Sequence, residues 1–175
     1  AILAVVVLNA KKLNPFLGSK SRAERRETLD LWGKVIVACL PAAVIGLAFN
    51  KYMEEHFMNA PVVASMLILY GILFIVVERW NKRRTPRVES LAALDYRTAF
   101  IIGVFQVLSL VPGTSRSGAT ILGGIIFGAS RYVATEFTFF LAIPVMFGAS
   151  FLKLVKFGWH YTGAELLILA VGMVT

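Results

Sequence analysis

A chain of 175 residues that is 58% hydrophobic, with a mean hydropathy of +0.74, has longer apolar runs than a soluble domain of this length would carry, so it reads as an integral membrane protein. Its net charge of +8 would suit a nucleic-acid binder, but twelve of its eighteen Lys and Arg fall in segments 11–26 and 79–97, each beside a hydrophobic run. That is how cytoplasmic loops are charged, so loops 10–30 and 78–97 are predicted cytoplasmic and nucleic acid is set aside as a partner in favour of membrane lipids. The single cysteine, Cys39, excludes an intrachain disulfide and reads as packing in an apolar run.

In chain order, residues 1–9 read as the tail of one membrane helix. A basic loop runs on to Asp30, broken at Pro15 and Gly18, with a short surface helix over Arg22 to Glu27. A span over 31–50 has Lys34 snorkelling near its cytoplasmic end and a kink at Pro41. Lys51 to Asn59 is predicted to be an outer turn, with His56 exposed in it. A return span over 61–77 ends at the interfacial anchor Glu78-Arg79-Trp80. Asp95 is placed to cap the next helix. Arg131 opens a further span to about 151, kinked at Pro144. Glu136 near its start reads as a structural ion-pair partner rather than a catalytic group. Lys153 and Lys156 fall on the outer side, Trp159 and Tyr161 form an aromatic belt with His160 beside them, and a last segment, 163–175, heads back inward. The chain opens and stops inside apolar runs, which reads as the central piece of a longer protein.

Between the return span and Arg131 stand two apolar stretches, 98–111 and 117–129, each too short to cross a bilayer core comfortably. They fit a re-entrant helix hairpin over about 98–129, entering and leaving on one side, with Pro112-Gly113-Thr114-Ser115-Arg116-Ser117-Gly118-Ala119-Thr120 at its tip. An arginine at membrane depth is expensive and therefore points to function. A guanidinium, the hydroxyls of Thr114, Ser115, Ser117 and Thr120, glycines that let backbone approach a ligand, and a helix N-terminus together describe an anion site, most simply for phosphate. Gln106 in the entering arm reads either as an inter-helix hydrogen bond or as a supporting group behind the site. Gly124-xxx-Gly128 reads as small-residue packing.

Other phosphate and acyl-transfer motifs do not match. No lysine follows the glycine as a P-loop requires, position 117 is serine where the nucleophile elbow needs glycine, and position 122 is leucine where lipid phosphatases of the acid-phosphatase type carry histidine.

The motif resembles the second signature of the undecaprenyl-diphosphate phosphatase family of bacitracin-resistance membrane proteins, P-G-x-S-R-S-G-A-T, at every fixed letter. The resemblance continues through Tyr96-Arg97-Thr98-Ala99-Phe100, Gly103-Val104-Phe105-Gln106, Ser130-Arg131-Tyr132-Val133-Ala134 and Glu136 to Pro144, and Ile2 to Val7 is similar to that family's third helix. It implies an all-α polytopic bundle of two inverted repeats, each a re-entrant hairpin followed by three spans, in the bacterial cytoplasmic membrane. It also implies hydrolysis of undecaprenyl diphosphate, which recycles the lipid carrier of peptidoglycan synthesis and confers bacitracin resistance. Arg116, Ser115 and Ser117 would be catalytic, and Gly113, Thr114, Gly118 and Thr120 would bind the phosphate. A divalent ion, Mg or Ca, would take its ligands from a glutamate-rich segment outside this chain, and a second copy of the chain is admitted as a partner. The competing class is an inverted-repeat transporter or flippase of a lipid phosphate using the same anion site. A structural scaffold leaves the arginine and hydroxyls unexplained.

Overall fold

A computed structural model describes residues 2–15, 20–157 and 163–174. Gly18, Trp159, His160 and Tyr161 lie outside the described residues, as does the Lys156 side chain. The described residues form helices α1 (Ile2–Leu8), α2 (Ala10–Leu13), α3 (Arg22–Phe57), α4 (Ala60–Asn81), α5 (Tyr96–Val107), α6 (Arg116–Ile126), α7 (Arg131–Phe157) and α8 (Gly163–Val174). A 3-10 turn, Leu108–Leu110, extends α5. Three stretches, Arg22–Phe49, Ala60–Asn81 and Arg131–Lys153, are long and apolar enough to cross a membrane. This is an all-α polytopic membrane protein. Residues 1–145 and 146–175 form two compact units, the second holding the last turns of α7 and α8. The motif and the hairpin that carries it belong to the first unit.

Helix α3 corrects three expectations. It begins at Arg22 rather than 31 because Ser21 and Glu24 form a capping box: Ser21 Oγ accepts the Glu24 N–H at 3.2 Å and Glu24 Oε2 accepts the Ser21 N–H at 2.6 Å. The separate surface helix over 22–27 is therefore the first turn of the span. The helix also runs through Pro41 and absorbs Lys51 to Phe57, leaving only Met58 and Asn59 as the outer turn. Its 36 residues measure about 54 Å, well beyond a hydrocarbon core of about 30 Å. His56 is exposed and stacks on Tyr52 one turn earlier. Asn59 then restarts the chain by accepting the Val62 N–H at 3.0 Å, and α4 runs past the predicted 77 through Trp80.

Lys34 does not snorkel. It is 3% exposed, pairs with Asp30 one turn back, and donates to the carbonyls of Leu91 and Ala92 at 3.4 and 3.3 Å. Asp30 also accepts from the Tyr96 hydroxyl at 2.8 Å. A lysine with three acceptors within the protein has no need of bulk water, and this one ties the 82–95 loop and the start of α5 to α3. Around the same end Glu78 pairs with Arg131 and Glu136 with Lys12, the structural role read for Glu136. Arg84 lies 4.0 Å over the Trp80 ring.

The hairpin is built from α5, the 3-10 turn and α6. Asp95 caps α5, accepting the Thr98 N–H at 2.9 Å, and hydrogen bonds from Thr98 hold its carboxyl below the usual range. Helix α6 ends in a Schellman turn: Gly128, at φ +98°, sends its N–H to Ile125 O, and Ala129 sends its own to Gly124 O at 2.9 Å. Gly128 O then accepts the N–H groups of both Arg87 and Val88, while Ser130 N–H donates to Val88 O at 2.8 Å. The far end of α6 is thereby fastened to the loop from which α5 departs. The hairpin enters and leaves on one side.

Three glycines set its packing. A Cβ on Gly103 would lie 2.1 Å from Ala38 O of α3, one on Gly123 would lie 2.6 Å from the Phe105 ring of α5, and one on Gly124 would lie 2.8 Å from Ala134 Cβ of α7. The Gly124-xxx-Gly128 pair is therefore not one packing face: Gly124 packs, and Gly128 ends the helix. Around these contacts Ala99, Ile102, Ala119, Leu122, Val133 and Phe137 form the buried core.

Candidate functional site

The motif loop owes its shape to two residues. Gly113 sits at φ +90°, a conformation that side chains resist, and its Cα faces the backbone of α4 so closely that a Cβ would stand 2.8 Å from Val63 Cα and O. Gly113→Ala is therefore strained twice, by dihedral and by contact with backbone. We expect it to lower thermal stability in detergent by roughly 2 kcal/mol and to abolish function that depends on the loop, checked by a melting curve and a phosphate-release assay on the same preparation. Ser115 is the second residue: it is the N-cap of α6, its Oγ accepting the Gly118 N–H at 3.2 Å.

With the cap at Ser115, Arg116 and Ser117 occupy the first turn of α6, where helix geometry leaves N–H groups without intrahelical acceptors. The hydroxyls of Ser115 and Ser117 are exposed and lie 3.3 Å apart. Arg116 is half-buried and has no carboxylate partner among the described residues; its charge lies close enough to interact with Cys39 of α3. A half-buried guanidinium with no carboxylate partner among the described residues, two exposed hydroxyls and a helix N-terminus are groups suited to binding an anion.

Not every residue read from the motif faces that point. Thr120 is 1% exposed, donates to the carbonyls of Arg116 and Ser117, and accepts from Thr138 of α7 at 3.0 Å. Thr120, expected among the phosphate ligands, thus has its hydroxyl engaged one turn into α6, in the α6–α7 seam. Thr114 also turns inward, its hydroxyl buried against α4 with no hydrogen bond of normal geometry. Gly118 is buried, and a Cβ there would stand 3.1 Å from the Phe74 ring and from Ser115 Cβ. Gln106 is 2% exposed, and its Nε2 finds no partner among the described residues, so the expected inter-helix bond from that nitrogen is not made.

Sequence reasoning misses the contribution of α4. Val63, Tyr70 and Phe74 lie on one face of that helix and back the loop at Gly113, Thr114 and Gly118. In an apolar span their spacing is the only available signal. As for a metal, no group of three or more His, Cys, Asp or Glu among the described residues could hold one. The loop's own donors, hydroxyls and a guanidinium, do not fit a divalent cation.

The family described as bacitracin resistance protein BacA matches residues 1–175. Among curated proteins, an undecaprenyl-diphosphatase of Desulfitobacterium hafniense is 58% identical over 175 residues, which cover 99% of this chain and 63% of that protein. One of Streptococcus mutans is 60% identical over 176 residues, with 99% and 63% covered, and one of Enterococcus faecalis is 56% identical over 177, with 99% and 64% covered. The chain thus spans a little under two thirds of the length of these relatives.

Proposed function

The chain belongs to the bacitracin resistance protein BacA family, and from that premise we propose that, together with the further length its relatives carry, it hydrolyses undecaprenyl diphosphate to undecaprenyl phosphate and inorganic phosphate in the bacterial inner membrane. Recycling of the lipid carrier for peptidoglycan, cell-shape maintenance and bacitracin resistance follow from that activity. The observation that carries the reading is the half-buried Arg116, with no carboxylate partner among the described residues, between two exposed serines at a helix start.

The chemistry asks for what this loop offers. Phosphoryl transfer is catalysed chiefly by positioning and by stabilising charge on the transferred group. Arg116 grips two phosphate oxygens with its planar fork, Ser115 and Ser117 donate to the same group, and the first-turn N–H groups of α6 complete the cradle. Gly113 and Gly118 keep the loop and α4 close enough to hold that geometry. A Mg or Ca ion at this site draws its carboxylate ligands from outside residues 1–175.

Depth supports access from the outer leaflet. The basic 82–95 loop marks the cytoplasmic side. Gly113 packs at Val63, seventeen residues and about 25 Å along α4 from the interfacial Trp80. The tip of the hairpin is thus close to the outer end of α4 although both arms start from the inner side.

The test is phosphate release from undecaprenyl diphosphate by the intact gene product in detergent, with and without a chelator. Release that stops with chelator and returns with Mg or Ca supports both the reaction and the cofactor. Substrate that binds and stays intact under all of these conditions would replace the phosphatase by a carrier of lipid phosphate.

A further inference from the structure

The motif loop packs on one face of α4, and one pair there is unexplained by the site itself. Thr114 Oγ1 is buried with no hydrogen bond of normal geometry, an arrangement that costs stability unless something nearby satisfies it. Tyr70, itself 8% exposed in a helix that is otherwise largely exposed among the described residues, stands on the α4 face that carries Val63 and Phe74, the residues packed against Gly113 and Gly118. Of the 22 residues of α4, only Tyr70 and Val77 are buried. A tyrosine turned inward from such a helix brings a hydroxyl to a place where phenylalanine would pack as well, so the hydroxyl is the feature that needs a reason. Two turns away the same helix face meets the Gly113 backbone at Val63, and one turn in the other direction it meets Gly118 at Phe74.

We infer that Tyr70 is a positioning residue of the motif loop: its phenol is the polar partner of the buried Thr114 hydroxyl, and the pair fixes the turn Gly113–Ser115 so that Ser115 caps α6 and Arg116 faces the anion. The inference deepens the phosphatase reading and rests on it for its effect on catalysis, but not for the contact itself. Thr114 then acts through the loop's shape and not as a phosphate ligand.

A double-variant cycle on the intact gene product decides it, comparing wild type, Tyr70→Phe, Thr114→Val and the two together. Two measurements are made on each, phosphate release and hydrogen exchange of the loop amides. Each single change is expected to lower kcat about tenfold with little change in KM, and to raise exchange across 113–118; the double variant is expected to be no worse than either single one. Multiplying effects, or a Tyr70→Phe variant that matches wild type in both measurements, would overturn the pairing. A raised KM in Thr114→Val alone would return Thr114 to the phosphate ligands and overturn it equally. If the wild type releases no phosphate, the functional reading fails while the exchange cycle still decides the role of Tyr70.

Discussion

Arg116→Lys is expected to lower the kcat/KM of phosphate release by about 10²–10³ without moving the melting temperature in detergent. Lysine keeps the positive charge but offers a single point of attachment, whereas guanidinium meets two phosphate oxygens at once and is more weakly hydrated. The size of the effect follows from the site's composition. No lysine, histidine or second arginine stands within the motif, so nothing else in the loop can take over the charge. Stability is expected to hold because Arg116 pairs with no carboxylate among the described residues, so its replacement orphans no buried partner. A variant within threefold of wild type would mean that net charge alone suffices and that the planar fork is not used.

Gly103→Val should have the largest effect on the fold. Its Cβ would fall 2.1 Å from Ala38 O and 2.8 Å from Ala38 Cα and C, and all three are backbone atoms of a long helix that cannot move like the tip of a side chain. The two helices would have to separate along the contact that carries Ala38, Ala99 and Ile102, each fully buried. Overpacking of this kind costs at the upper end of about 1–3 kcal/mol or beyond. For a chain of this size that is a drop of roughly 6–12 °C in the melting midpoint. Gly71→Ala is the matching control: a Cβ there meets nothing within 4 Å, so the midpoint should stay or rise slightly. Equal melting of Gly103→Val and wild type would mean that α3 and α5 are not held in the described contact.

Much of this arrangement is legible in the residues. The hairpin can be placed because two apolar arms too short to span flank a polar loop, and the cap at Asp95 can be placed because Asp precedes the apolar run. Ser21-x-x-Glu24 is equally visible as a capping box, yet the dense charges around it have the composition of a loop, and reading them so displaces the start of α3 by nine residues. The remaining differences concern which way a side chain turns. Thr120 and Thr114 carry the same hydroxyl as the serines and stand in the same nine-residue motif, but Thr120 lies a turn deeper in α6, where it meets Thr138, and Thr114 is buried beside Gly113, whose positive φ turns the loop against α4. Lys34 has the sequence setting of a snorkelling residue because its carbonyl acceptors lie 57 and 58 positions further on, where only tertiary structure brings them near. The support from Val63, Tyr70 and Phe74 is hidden for the same reason, inside a run that is apolar throughout.

The hydrogen bonds that join Gly128 and Ser130 to Arg87 and Val88 bear on how the protein is made as well as on how it stands. While the chain is being synthesised, α5 and α6, of 12 and 11 residues, each lack the length to lodge across the bilayer as they emerge. Their fastening to the preceding loop does not exist until residues 128–130 have left the ribosome. The base of the hairpin can therefore close only after both of its arms have been made, whereas the contacts of α5 with Ala38 need nothing beyond α5 itself. A chain ending before residue 128 would lack every one of the hydrogen bonds that tie the end of α6 to Arg87 and Val88.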